Sequence, residues 1–145
     1  MVELRKIDEE NFRAVISLKV KPGQEKFVAN NTYSLAQAYA EPRCEPRAIY
    51  AEGKLVGFVM TALDDEDNEY WVYRLMVCAE EQGKGYGRDG LKAAIAAIRR
   101  DHPERKVMYI SFGPENEAAK KLYLSVGFVD DHRMDDGEAI YRLDF

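Results

Sequence analysis

The residues of this chain whose types and spacing best suit chemistry are Gln82-Gly83-Lys84-Gly85-Tyr86-Gly87, followed directly by Arg88. Three glycines alternate after an apolar run (residues 71–77) and before a helical pattern (residues 91–100). Glycine lacks Cβ, so such a backbone turns sharply and brings its N–H groups close to a ligand. The helix behind it adds unpaired amides and the positive end of its dipole. Together these make an anion site, most naturally for phosphate, and we read it as a pyrophosphate grip. Gly85-Tyr86-Gly87-Arg88-Asp89-Gly90 also fits the glycine pattern of dinucleotide-binding folds. That fold needs the loop after its first strand and an acidic residue closing a strand about twenty residues on. Here that place falls among Asp101, His102, Pro103 and Glu104, a helix end, and too little chain remains for the rest. The Lys-Ser or Lys-Thr of a Walker loop is absent. A tight turn without a ligand stays open as the plain alternative.

The elements that must position this loop follow from periodicity. Residues 2–7 alternate as a strand, and Asp8 is placed to cap a helix from Glu9 with Phe12, Val15, Ile16 and Leu18 as its buried stripe. Pro22-Gly23 ends it, and a second helix is expected over residues 24–39. Its middle, Asn30-Asn31-Thr32-Tyr33-Ser34, is poor in helix formers, which predicts either a bend presenting side chains to a cleft or a solvated face. Pro42, Cys44 and Pro46 mark a loop; residues 48–52 and 55–63 read as a hairpin turning at Glu52-Gly53. Asp64-Asp65-Glu66-Asp67-Asn68 reads as a solvated turn. A strand over 69–78 precedes the glycine loop and its helix, followed by a strand over 106–112. A helix over 115–126 is capped by Gly127, and a hairpin joins 128–134 to 139–145. The order β-α-α-β-β-β-α-β-α-β-β predicts one α+β domain over residues 1–145, three-layered, with a mixed, mostly antiparallel sheet of about seven strands and about four helices.

Composition narrows the partners. The 145 residues, 46% hydrophobic and 32% charged, have the balance of a globular domain with one core. A net charge of −5 without a basic block argues against nucleic acid and suits small cationic ligands, or simply solubility. Cys44 and Cys78 give no disulfide framework, and no stretch resembles a signal peptide or membrane span, so a cytoplasmic location is expected. Two separated histidines and no Cys/His cluster predict no metal site.

Leu75-Met76-Val77 followed by Gln82 to Gly87 resembles the acetyl-CoA motif of the GCN5-related N-acetyltransferases, Arg/Gln-x-x-Gly-x-Gly/Ala. Asn116-Glu117-Ala118-Ala119-Lys120-Lys121-Leu122-Tyr123, ending at Gly127-Phe128, is similar to that family's second signature. The resemblance implies a sheet splayed between the strands at 69–78 and 106–112 and acetyl-CoA as acetyl donor. Its pantetheine would pair with Leu75, Met76 and Val77, and its pyrophosphate would sit on Gln82, Gly83, Lys84, Gly85, Tyr86, Gly87 and Arg88. Asn116 would bond CoA or the Tyr123 end of its helix, or serve only as a helix cap. Lys84, Arg88 and Lys120 are phosphate contacts or surface charges. Within the family the chain looks most like bacterial diamine and spermine/spermidine acetyltransferases, through Ser17-Leu18-Lys19-Val20, Gln24 and Leu55-Val56-Gly57-Phe58-Val59-Met60. The resemblance also implies a homodimer.

The implied reaction is attack of a primary amine on a thioester. Holding both reactants in near-attack geometry supplies roughly 7–11 kcal/mol, and one backbone donor near Val77 about 2.7–4 kcal/mol. The resemblance makes Tyr123 the general acid, with a core tyrosine as the alternative; an ordinary phenol donates to a thiolate about 2 kcal/mol uphill. Some members of that family place Asp or Glu two residues before the apolar pair of the central strand, where this chain has Tyr73 and then Arg74. That leaves Glu69 through water, or proton loss to water chains. Glu25, Asn30, Ser34, Trp71 and Tyr73 are candidate acceptor contacts, an aromatic wall with a carboxylate being suited to a cation. The expected function is N-acetylation of a polyamine. Alternatives are an aminoglycoside or peptide amine as acceptor, a non-catalytic CoA-binding module, and a nucleotide-dependent oxidoreductase.

Overall fold

The computed structural model describes residues Met1–Phe145. In chain order the elements are β1 (Val2–Arg5), α1 (Phe12–Ser17), α2 (Asn31–Ala40), β2 (Cys44–Ala51), β3 (Lys54–Leu63), β4 (Tyr70–Val77), α3 (Tyr86–Asp101), β5 (Val107–Phe112), α4 (Glu117–Val126), β6 (Val129–Asp135) and β7 (Glu138–Asp144). Seven strands form one sheet, ordered β1-β2-β3-β4-β5-β7-β6, in which only β4 and β5 run parallel. The α+β architecture is the expected one. No helix is long and apolar enough to cross a membrane.

Two cores cover the two faces. Leu91, Ala94, Ile95 and Ile98 of α3 bury one face with Val72, Met108, Ile110 and Phe128. Val15 of α1 packs the other with Ala48, Phe58, Met60 and Met76. Close approach decides two glycines: a Cβ at Gly57 would lie 2.4 Å from the Met76 carbonyl oxygen, and one at Gly90 would lie 2.6 Å from Ile49.

The central strand is irregular where function needs it. Met60 pairs with Arg74 but Thr61 pairs with Val72, so Tyr73 is an extra, bulged residue. The bulge inverts the alternation of faces. Tyr70 and Val72 belong to the α3 core, Leu75 packs on that same core, and Met76 joins the opposite one.

Three boundaries differ from expectation. Residues 8–11 form a turn, Asp8 Oδ1 accepting from the Glu10 and Asn11 amides, so α1 begins at Phe12 rather than Glu9. The helix expected from residue 24 is replaced by turns over 21–30, because Asn30 caps α2 by accepting from the Tyr33 amide at 2.8 Å. β2 starts at Cys44 and contains Pro46, which faces Met60 in a stretch beyond the end of β1, where a missing N–H breaks no second ladder.

Candidate active site

β4 and β5 pair only at Tyr70↔Met108, Trp71↔Tyr109 and Val72↔Ile110. Beyond Val72 they diverge around a cleft of about 1530 Å3, with Leu75, Met76 and Val77 on one wall and Ile110, Phe112 and Tyr123 on the other. From Tyr73 to Val77 the cleft side of β4 has no strand partner. A ligand carrying amides can extend the sheet along that edge.

After Val77 a 3-10 turn (Ala79–Glu81) leads to the glycine loop. Gly83 (φ +82°) and Gly85 (φ +85°) are left-handed, and a Cβ at either would meet nothing within 4 Å. Backbone conformation, not crowding, therefore requires these glycines, and the loop stands open. Gly85 is the cap of α3 without a side-chain partner, and the first helical bond there is Asp89 N–H to Gly85 O at 3.0 Å. The amides of Tyr86, Gly87 and Arg88 are left for a ligand. Gly83, Gly85, Tyr86, Gly87 and Arg88 all line the cleft, and this cradle fits the diphosphate of acetyl-CoA.

Two expected loop side chains have partners within the protein, Gln82 while also lining the cleft. The Lys84 ammonium is not in the cleft; it bonds Glu81 Oε1 at 2.9 Å, while Lys54 bonds Oε2 at 2.6 Å. Bonds from Lys54 and then Lys84 hold the Glu81 carboxyl below the usual carboxylate range. The Gln82 side chain is also committed, its Nε2 donating to Val77 O at 2.9 Å and to Gln24 Oε1 at 2.8 Å.

Asn116 caps α4, its Oδ1 accepting from the Ala119 amide at 3.2 Å, and it lines the cleft as well. Its side-chain amide is the group left for a ligand. Tyr123 is only 8% exposed, with its ring edge-on to Phe112 at 5.3 Å. Burial, and then the charge of Glu138, push its phenol up to about 12. Full proton transfer to an ordinary thiolate from such a phenol costs about 5 kcal/mol, more than the ordinary phenol pKa implies. A hydrogen bond to developing sulfur charge is worth about 1.5–3 kcal/mol without that transfer.

At the other end of β4 the acidic tip is less solvated than expected. Residues 65–68 are exposed, but Tyr73 Oη donates to Asp64 Oδ2 at 2.7 Å and Trp71 Nε1 to Asp67 Oδ2 at 2.9 Å. Asp64, Glu66, Asp67, Trp71, Tyr73 and Glu138 line this end. Burial, and then the bond to Asp64, push the Tyr73 phenol up. Arg74 braces the bulge, donating to Tyr73 O at 2.9 Å and to Gln37 Oε1 at 2.8 Å.

The structure does not bring Glu25, Asn30 or Ser34 to the cleft. Glu25 accepts from the Gly23 amide at 3.0 Å, Asn30 is spent as a cap, and Ser34 is fully buried. Glu69 lies outside the lining, and Lys120 is exposed away from it. Asp64, Asp67 and Glu138 were missed; the available signal was Asp67 four residues before Trp71, at the root of a hairpin that folds its tip onto β4. No group of three or more His, Cys, Asp or Glu side chains is arranged to hold a metal ion.

The profile of the acetyltransferase (GNAT) family matches residues 2–128. The spermine/spermidine N(1)-acetyltransferase of Bacillus subtilis (strain 168) is 30% identical over 146 residues, covering 96% of this chain and 95% of the relative. Among solved structures, the fold is shared with the Vibrio cholerae spermidine N-acetyltransferase in complex with CoA and spermine (TM-score 0.74, 16% identity, 99% of this chain and 94% of that one). It is shared also with an aminoglycoside acetyltransferase in complex with coenzyme A and kanamycin (TM-score 0.79, 17% identity, 98% and 93%). The splayed strands, the open glycine cradle and these matches agree: the chain belongs to the acetyltransferase (GNAT) family and is an N-acetyltransferase that takes its acetyl group from acetyl-CoA.

Proposed function

We propose that the acceptor is a polyamine and that one of its primary amines attacks the thioester directly in a ternary complex. The observation that carries this reading is the pairing of carboxylates with aromatic rings at one end of the cleft, Asp64 with Tyr73 and Asp67 with Trp71. Such an end holds an alkylammonium by charge and by ring faces together. The other walls, with Phe27, Val28, Leu75 and Met76, are apolar. A second, charged nitrogen rests at the acidic end while the reacting nitrogen lies along the apolar wall.

That division serves the chemistry. Freeing an amine of pKa near 10.4 at pH 7 costs roughly 4.6 kcal/mol, and desolvation lowers that cost by disfavouring the charged form. The proton leaves to water: Tyr73 is a phenol, Glu69 lies outside the lining, and the cleft carboxylates Asp64, Asp67 and Glu138 already accept from Tyr73, Trp71 and Ser111. An unpaired amide on the open edge of β4 near Val77 polarises the carbonyl, and the Tyr123 hydroxyl donates toward the departing sulfur. The reading includes a cytoplasmic homodimer, checked by light scattering and by fractionation.

The test is a panel of spermidine, spermine, a diamine, kanamycin and a peptide amine, assayed by release of free thiol. Spermidine and spermine are expected to give the highest kcat/KM. A higher value on kanamycin or the peptide overturns the polyamine reading, and no turnover on any amine favours a CoA-binding module without activity.

A further inference from the structure

The turns over residues 21–30 lie beside the glycine loop and are pinned to it by a reciprocal amide pair. Gln82 Nε2 donates to Gln24 Oε1 at 2.8 Å, and Gln24 Nε2 donates back to Gln82 Oε1 at 3.2 Å. Gln24 Oε1 also accepts from the Lys21 amide at 3.0 Å, which fixes its side chain to its own turn. Gln82 Nε2 reaches Val77 O as well, at 2.9 Å. One side chain thus joins the end of β4, the entrance of the glycine loop and the segment carrying Val20, Phe27, Val28 and Ala29, all of which line the cleft.

The flanks of this segment are anchored independently. The Ala79 amide donates to Lys19 O at 2.8 Å, and buried Asn31 donates to Val15 O at 2.9 Å. Between those anchors no helix or strand holds the chain; Val20 and Val28 pack on the Val15 core, and the amide pair is the segment's side-chain tie to the glycine loop.

We propose that Gln24 is a positioning residue for the acceptor. Through Gln82 it ties the wall of residues 20–29 to the glycine loop, so that a cofactor held by the loop also steadies the acceptor wall. Gln82 works here as a strut between that wall and the loop it opens. The inference rests on the acetyltransferase assignment and not on which amine is accepted.

The test uses Gln24→Leu, which keeps the bulk and removes the amide. With spermidine as acceptor, KM for the amine is expected to rise about tenfold, kcat and the acetyl-CoA Kd staying within about twofold. Hydrogen exchange with CoA alone gives a second readout. CoA is expected to protect residues 20–29 in the wild-type protein and to lose that effect in Gln24→Leu. An unchanged amine KM overturns the proposal, as does equal protection in both proteins or none in the wild type. Failure of spermidine as a substrate counts against the polyamine reading alone, because the exchange experiment contains no amine. If Gln24→Leu does not fold, Gln24→Met, which is unbranched and has neither the amide donor nor the amide acceptor, replaces it in both arms.

Discussion

The hydroxyl of Tyr73 donates to Oδ2 of Asp64 across 2.7 Å, so a bulged strand residue and a loop carboxylate form one unit at the cleft wall. Asp64→Asn keeps the shape and removes the charge. KM for spermidine is expected to rise about tenfold, the worth of one charge-assisted contact, with acetyl-CoA affinity unaltered by calorimetry. The same KM should climb with ionic strength in the wild type and do so less steeply in the variant.

Tyr123 holds its proton well above the assay range, since burial pushes the phenol up to about 12. A donor is competent while protonated and fails only as pH rises through that value. The kcat–pH profile is therefore expected to show no alkaline fall up to pH ~10. Tyr123→Phe should lower kcat roughly ten- to 150-fold, the worth of that hydrogen bond, and leave acetyl-CoA binding within about twofold. Wild-type turnover in that variant rules out the donor role.

Gly85 sits at φ +85°, a region a β-branched residue rarely adopts. Gly87 is helical, and its Cβ would touch Val77 at 3.5 Å, so a valine there would crowd the cleft. Gly85→Val and Gly87→Val are both expected to abolish acetyl-CoA binding by calorimetry and to keep a native far-ultraviolet spectrum.

Gly57→Ala tests the core instead. Its new methyl would collide with the Met76 carbonyl, which is backbone and cannot swing aside. About 3 kcal/mol of destabilisation, a fall of roughly 10 °C in Tm, is expected.

Glu81 links Lys54 to Lys84, and its folded pKa is depressed. Stability from this group is present above the ordinary carboxylate pKa and lost as pH falls through the folded value. Glu81→Gln should have the lower Tm at pH 7, and the gap between the two proteins should close as the pH is lowered toward 3.

The order of elements and the glycine loop were legible because each is local: alternation marks β1, apolar and aromatic runs mark β3 and β4, and the φ-permissive residues mark the turn. What failed was tertiary. Asn30 and Glu25 read as acceptor contacts because polar side chains in an apparent helix suggest a cleft, yet both bond backbone within a few residues of themselves. The roles of Asp64 and Asp67 depend on an inserted residue in β4, and nothing in the spacing of Tyr73 reveals a bulge. Gln82 and Lys84 fit the loop motif by position, but distant Gln24 and neighbouring Glu81 claim their side chains.

The parallel junction of β4 and β5 has only three rungs. Strands β1 to β4 and strands β5, β7 and β6 are thus two sub-sheets meeting along a short seam. A bound pantetheine arm laid against the bare edge of β4 would act as a surrogate strand at that seam. The acetyl carrier is then, for the length of one turnover, a structural member of the protein it serves.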